Sequence, residues 1–338
     1  MPSAPPCNHC GCRDDNKHAT GVRHAQGRRR SQDPSRDSRH RQRRRAGAGP
    51  GPAGHGPQRP RRAGGRHRRL HAGGADRLGR ALRLSGTGRG LPGPGDYEEA
   101  LADLNDAVWL APDYAPAYLN RGVVLQLLGR DDEARADFDR TIRLDPSLPE
   151  AYCNRAGIHA DRGRLEAALR DCAKALELRP DFADAHGGRG CVLARLGRLE
   201  PALADLDQAV ALGGGTAQVY ATRAVIHARS GRYGSAIEGW SRAIDLDPSE
   251  AQSYGDLAWV LATTDAPGGR DGARAVALAE KAVALDPDNP LMRDALAAAY
   301  AEAGRFDEAL RTQQEVVAML RAQGPAGLMG ELKRRLAA

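Results

Sequence analysis

Four arginines recur at one interval: Arg121, Arg155, Arg189 and Arg223 are each 34 residues apart. Aspartates follow the first three at a distance of sixteen, at Asp137, Asp171 and Asp205. A planar guanidinium meets a carboxylate in a two-point fork, so this spacing predicts internal ion pairs between facing segments. A stripe of phosphate-binding cations is the alternative chemistry. One residue before each arginine stand Asn120, Asn154, Gly188 and Thr222. An asparagine amide both donates and accepts, so it can pair with the backbone of an extended peptide. Here the asparagine run stops after two steps.

No pattern in the chain assembles an active site. A phosphate-binding loop, a dinucleotide fingerprint, a nucleophile elbow and a paired-histidine zinc motif are all missing. His159 and His227 stand where Leu125 and Leu193 stand in other copies, which makes them core histidines. Cys7, His9, Cys10 and Cys12 have the chemistry of metal ligands, but no second pair follows at finger-like spacing. Cys153, Cys172 and Cys191 are scattered as small packing residues, in keeping with a reducing compartment. The expectation is no catalytic residue, no cofactor and no metal.

The elements that carry these residues are set by a period. Glycine returns at Gly95, Gly129, Gly163, Gly197 and Gly231, and alanine five residues later at Ala100, Ala134, Ala168, Ala202 and Ala236. Proline closes the units at Pro112, Pro146, Pro180 and Pro248, with Gly214 in the remaining slot. Such a period marks a stack of like units. In the unit from Ala115 to Leu148, apolar residues from Tyr118 to Leu128 recur at helical spacing and Gly129 stops the helix. A second helix carries Ala134, Phe138, Thr141, Ile142 and Leu144 on one side, and Asp145-Pro146 ends it. A lone pair of this size cannot bury an adequate core, so neighbours must stack.

The spacing W-x2-L-G-x2-Y…A-x3-F…P is met by Tyr118, Arg121, Gly122, Leu125, Ala134, Phe138 and Pro146. On these residues the chain resembles the tetratricopeptide repeat family, from about Gly95 to Leu320. The resemblance implies an all-α fold, a right-handed superhelical solenoid of antiparallel helix pairs, whose first helices line a concave groove. It further implies that the second, fifth, sixth, ninth and thirteenth residues of each unit face that groove. Expected groove residues are Asn120, Gln126, Asn154, Asp184, Arg195, Thr222, Arg229, Asp256 and Trp259. Trp259 could serve as an aromatic anchor, whereas Trp240 takes the slot of Phe138 and belongs to the core. Chaperone-binding relatives clamp a C-terminal carboxylate with two lysines. Here Lys174, Lys281 and Lys333 are the only lysines after residue 94, and none takes a groove slot. The implied function is a non-catalytic scaffold for a protein or an extended peptide.

The array is expected to have irregularities. Its first unit keeps only a second helix, near Gly95 to Leu110. Regular units begin near Ala115, Pro149, Ala183 and Ala217, and Gly213-Gly214-Gly215 predicts a looser exit from the third. The unit at Ala251 carries five extra residues within Thr263–Arg270, a turn between its helices. A last pair spans Pro290–Ala303 and Arg305–Leu320. Residues 321–338, with the amphipathic stretch Leu328–Leu336, are expected to cap the exposed end.

Charge divides the chain near Gly95. Residues 1–94 carry 22 Lys+Arg against 5 Asp, a net +17, and contain no Glu, Ile, Phe, Tyr or Trp. Disorder is the expectation there, because so little apolar surface cannot offset ordering entropy. Arg41–Arg45 and Arg59–Arg69 suit contact with nucleic acid if the stretch is genuine. The other reading is a shifted reading frame. The codons of Gly90 to Gly95, read one base later, permit Ala-Tyr-Leu-Ala-Arg, which would restore the missing first helix. A third possibility makes the repeats the accessory part of an enzyme whose catalytic part is missing. The remaining residues hold 28 basic and 38 acidic side chains, a net −10, which disfavours anionic partners at long range. A neutral-to-basic peptide is therefore expected, its capture weakened by Asn120→Ala with Asn154→Ala. The sequence has neither a membrane-length apolar run nor a secretory leader's apolar core, so a cytoplasmic location is expected.

Overall fold

The computed structural model describes residues 97–265 and 269–322. Readings that fall on the basic stretch 1–94, on the Cys7 cluster and on Leu328–Leu336 lie outside the described residues. Thirteen helices follow one another, and no strand occurs among the described residues. They are α1 Tyr97–Leu110, α2 Ala115–Leu127, α3 Asp131–Leu144, α4 Pro149–Asp161, α5 Leu165–Leu178, α6 Ala183–Arg195 and α7 Leu199–Ala211. The rest are α8 Ala217–Arg229, α9 Tyr233–Leu246, α10 Ala251–Thr263, α11 Gly272–Leu285, α12 Pro290–Glu302 and α13 Phe306–Ala322.

Five of the units turn at a glycine in the left-handed region (Gly129, Gly163, Gly197, Gly231 and Gly304), as at Gly129 with φ 73°. That conformation is easy only without a Cβ. The Arg130 amide then donates back to the Leu125 carbonyl at 2.8 Å, closing the helix end. The two helices of a unit lock by size. At Gly122 a Cβ would lie 2.5 Å from the Phe138 ring, and at Gly190 one would lie 2.7 Å from Leu206. Small residues on the first helix thus admit large ones sixteen positions on. Phe138 and Leu206 are fully buried, and Trp240 is 2% exposed. Burying such a side chain is worth about 1.5–3 kcal/mol.

A second device joins units. The hydroxyl of Tyr118 donates to the Pro112 carbonyl at 3.1 Å, that of Tyr152 to Pro146 at 3.3 Å and that of Tyr254 to Pro248 at 3.4 Å. His186 places Nε2 3.0 Å from the Pro180 carbonyl, and Arg293 donates to that of Pro287. The fourth residue of a unit therefore clasps the preceding turn. Tyr220 is different, because Gly214 replaces the proline. The turn there is not loose. A Cβ on Gly214 would lie 2.5 Å from that of Ala183, and one on Gly215 would lie 2.7 Å from the Tyr220 ring. These glycines permit close approach, and Thr216 caps α8 through the Val219 amide at 3.3 Å.

The helices form two layers. First helices of successive pairs pack side by side, α2 on α4, α4 on α6, α6 on α8 and α10 on α12, while second helices make no comparable contact with one another. The crowded layer is the inner one. α8 and α10 are the exception and stand further apart. Five extra residues precede α11, as expected, and Arg270 gathers that turn by donating to the Thr264 carbonyl at 2.8 Å and to Asp265 and Glu302 at 3.0 Å each.

Candidate binding groove

The arginine ladder is structural. Arg121 grips Asp137 through Nε and Nη2 at 2.7 Å each, and Arg155 grips Asp171 at 2.8 and 2.7 Å. Arg189 grips Asp205 at 2.6 and 2.7 Å. The hydrogen bonds they donate to these aspartates raise the arginine pKa values above their ordinary range, against the opposing effect of burial. Arg155 reaches a second carboxylate with Nη1, on Asp139 of the preceding unit at 2.8 Å. Arg121 uses the same arm on Asn105 at 3.0 Å. Arg223 finds Gly239 where an aspartate would stand, and its Nε donates backwards to Asp207 at 2.6 Å. With Arg121, Arg155 and Arg189 closed in forks and Arg223 paired with Asp207, this ladder does not form a phosphate stripe.

A pocket of about 340 Å³ lies on the inner layer where α8 and α10 separate. Cys191, Ala194 and Arg195 of α6 form one side. Gln218, Ala221, Thr222, Val225 and Arg229 of α8 form the floor, and Gln252, Ser253 and Asp256 of α10 with Glu250 form the far wall. Most of these hold the second, fifth, sixth, ninth and thirteenth places of their units. The Gln218 amide donates to the Thr222 hydroxyl at 3.1 Å, and that hydroxyl lies 3.5 Å from Cys191 Sγ. Glu250 accepts from the amides of Gln252 and Ser253 at 2.9 and 2.7 Å, capping α10. Gln252 donates to Asp256 at 2.7 Å. Arg195 is exposed and donates to the Ala160 carbonyl at 2.8 Å. Arg229, also exposed, makes no hydrogen bond or ion pair among the described residues.

Of the expected groove residues, Arg195, Thr222, Arg229 and Asp256 therefore meet at one place. Trp259 lies outside that pocket on α10 and is 43% exposed. Asp184 is half-buried at the start of α6, and Asn120 is half-buried on α2. Two residues do not offer themselves to a ligand. Gln126 is 5% exposed, at the unit position where Ala160 packs in the core, so it is a buried polar residue rather than a groove donor. Asn154 is 4% exposed, and its amide is covered by its own array. Glu250 and Gln252 were not singled out in sequence. Glu250 closes the preceding unit, and only its cap on α10 brings it to the pocket.

The tetratricopeptide repeat profile matches residues 94–149, 149–182 and 292–322. The chain belongs to the tetratricopeptide repeat family. No curated protein sequence matches it. Among solved structures it is similar to the APC/C hetero-tetramer Cut9-Hcn1, with a TM-score of 0.56 and 16% identity over 69% of this chain. This chain spans 46% of that one. It is also similar to pilF of Pseudomonas aeruginosa, with a TM-score of 0.52 and 17% identity over 67% of this chain and 97% of the other. At these identities the likeness is one of fold, the tetratricopeptide repeat solenoid. No helix among the described residues is long and apolar enough to cross a membrane, and none of their His, Cys, Asp and Glu side chains cluster as a metal site.

Proposed function

We propose that this tetratricopeptide repeat protein is a non-catalytic scaffold that holds an extended peptide segment of a partner protein along its inner layer. The pocket between α6, α8 and α10 carries the reading. It brings backbone-pairing groups together on two successive units, Gln218 and Thr222 of α8 and Gln252 of α10. An extended chain crossing those helices meets one set of donors and acceptors per unit, which is how a repeat surface reads a peptide. The use of such a fold in assembly has a parallel in Cut9, which forms a hetero-tetramer with Hcn1. Asn120 and Trp259 extend the same face towards either end and are assigned to it, Trp259 as an aromatic anchor.

The test is selection of random twelve-residue peptides on the immobilised full chain, followed by rebinding to Thr222→Trp. The indole fills the pocket, so selected peptides should lose at least tenfold in affinity while the melting curve stays that of a folded protein. Retention of the peptides by that variant, or no enrichment by the parent chain, would contradict the proposal.

A further inference from the structure

The pocket is charged asymmetrically. Arg195 and Arg229 hold the same place in consecutive units, the last residue of α6 and of α8, and both line it. Arg229 makes no hydrogen bond or ion pair among the described residues, and Arg195 donates to a backbone carbonyl. On the opposite wall Glu250 accepts from two backbone amides, and Asp256 accepts from the Gln252 side chain. Elsewhere on the first helices, Arg121, Arg155 and Arg189 are closed in forks with aspartate and Arg223 is paired with Asp207 through Nε. Arg195 and Arg229 are thus two guanidinium groups with donors to offer, side by side, in a recess of about 340 Å³.

We infer that the pocket selects a peptide carrying a single acidic side chain, whose carboxylate is received between Arg195 and Arg229. This rests on the peptide-binding reading above. A guanidinium offers a carboxylate paired donors, and two from adjacent helices can take both its oxygens. The opposite wall limits the charge of the ligand. Asp256 lies seven places earlier in its unit than Arg229 does in its own, about 10 Å along the helix direction at 1.5 Å per residue. A second anion further along the peptide, towards α10, would meet Asp256 and Glu250. One carboxylate followed by a basic or neutral residue fits both walls. A nucleic acid strand, with a phosphate at every step, does not. A neutral-to-basic peptide with one acid at the pocket also agrees with the net negative charge of the surrounding array.

The selection is repeated with C-terminally amidated and free-acid libraries on the full chain, on Arg229→Gln and on Arg195→Gln/Arg229→Gln. Arg195 and Arg229 are exposed at helix ends, and circular dichroism confirms that each variant is folded. The parent chain should enrich Asp or Glu at one position in both libraries. Replacing that residue by Asn or Gln should weaken binding on the order of tenfold, and in the double variant the affinities of the acidic and neutral peptides should converge. Peptide enrichment with no acidic position, or an acidic preference that survives the double variant, overturns the inference and leaves the scaffold reading intact. Preference for the free C-terminal carboxylate alone, or competition by a poly-dT oligonucleotide at equal affinity, also overturns it. No enrichment by the parent chain counts against the scaffold reading itself.

Discussion

Arg155 and Asp171, sixteen residues apart on the two helices of one unit, are joined by paired hydrogen bonds of 2.8 and 2.7 Å. Their side chains are 20% and 10% exposed, so the pair sits at the edge of the core rather than in water. The third nitrogen of the same arginine holds Asp139 of the preceding unit. One residue therefore sets the angle within a unit and ties it to its neighbour.

Arg155→Leu should leave Asp171 unpaired and lower stability by about 1–3 kcal/mol. Arg155→Leu with Asp171→Leu should recover much of that loss, since two apolar groups replace the pair. Urea unfolding of the three proteins measures this. A double variant no more stable than the single would contradict a pairing role.

Gly122 and Gly234 should respond oppositely to alanine. A Cβ on Gly122 meets the Phe138 ring at 2.5 Å, whereas one on Gly234, in the first turn of α9, meets nothing within 4 Å. Gly122→Ala should cost about 1–3 kcal/mol through overpacking. Gly234→Ala should add about 0.4–1 kcal/mol by restricting the unfolded chain. Melting temperatures that move the same way in both would contradict the interlocking of α2 with α3.

His227 is 6% exposed and both its ring nitrogens lack partners. Burial pushes its pKa below the ordinary value, and Arg232 and Arg223 push the same way against a weaker pull from Asp207. The folded state thus holds the imidazole neutral. Its contribution is complete above the unfolded pKa of about 6.5 and is lost as pH falls towards the lower folded value, by up to about 1.4 kcal/mol per pH unit. Burial lowers His159 too, against the pull of Asp171. Stability measured between pH 7 and pH 5 should therefore fall. His227→Leu, which installs the residue found at Leu125 and Leu193, should flatten that slope. An unchanged slope would show that His227 is not a source of it.

The period was legible because its marks are conformational. Gly129 and its equivalents must turn with positive φ, and Pro112 and its equivalents must end a helix. The Arg–Asp pairs were legible because a fixed spacing repeated with both charges. Depth was not. A place in the unit says which way a residue points, but the covering of Asn154 depends on neighbouring side chains, and Gln126 follows the core position of Ala160. Contacts between units were also hidden, such as Arg155 with Asp139, since they depend on how far each unit is rotated on the last. The Gly213–Gly215 turn misled for the same reason. Gly214 and Gly215 are required by the nearness of Ala183 and Tyr220, which local composition does not reveal.

Site-specific photo-crosslinking tests most directly whether the inner layer between α6 and α8 and α10 is where a partner lies. A photoreactive residue is placed at Thr222, in the pocket, or at Glu238, exposed on the second-layer helix α9. Each full chain is irradiated with a peptide taken from the selection. The account predicts crosslinking at position 222, suppressed by excess unlabelled peptide, and none above background at position 238. Equal crosslinking at the two positions, or crosslinking at 238 alone, would contradict it.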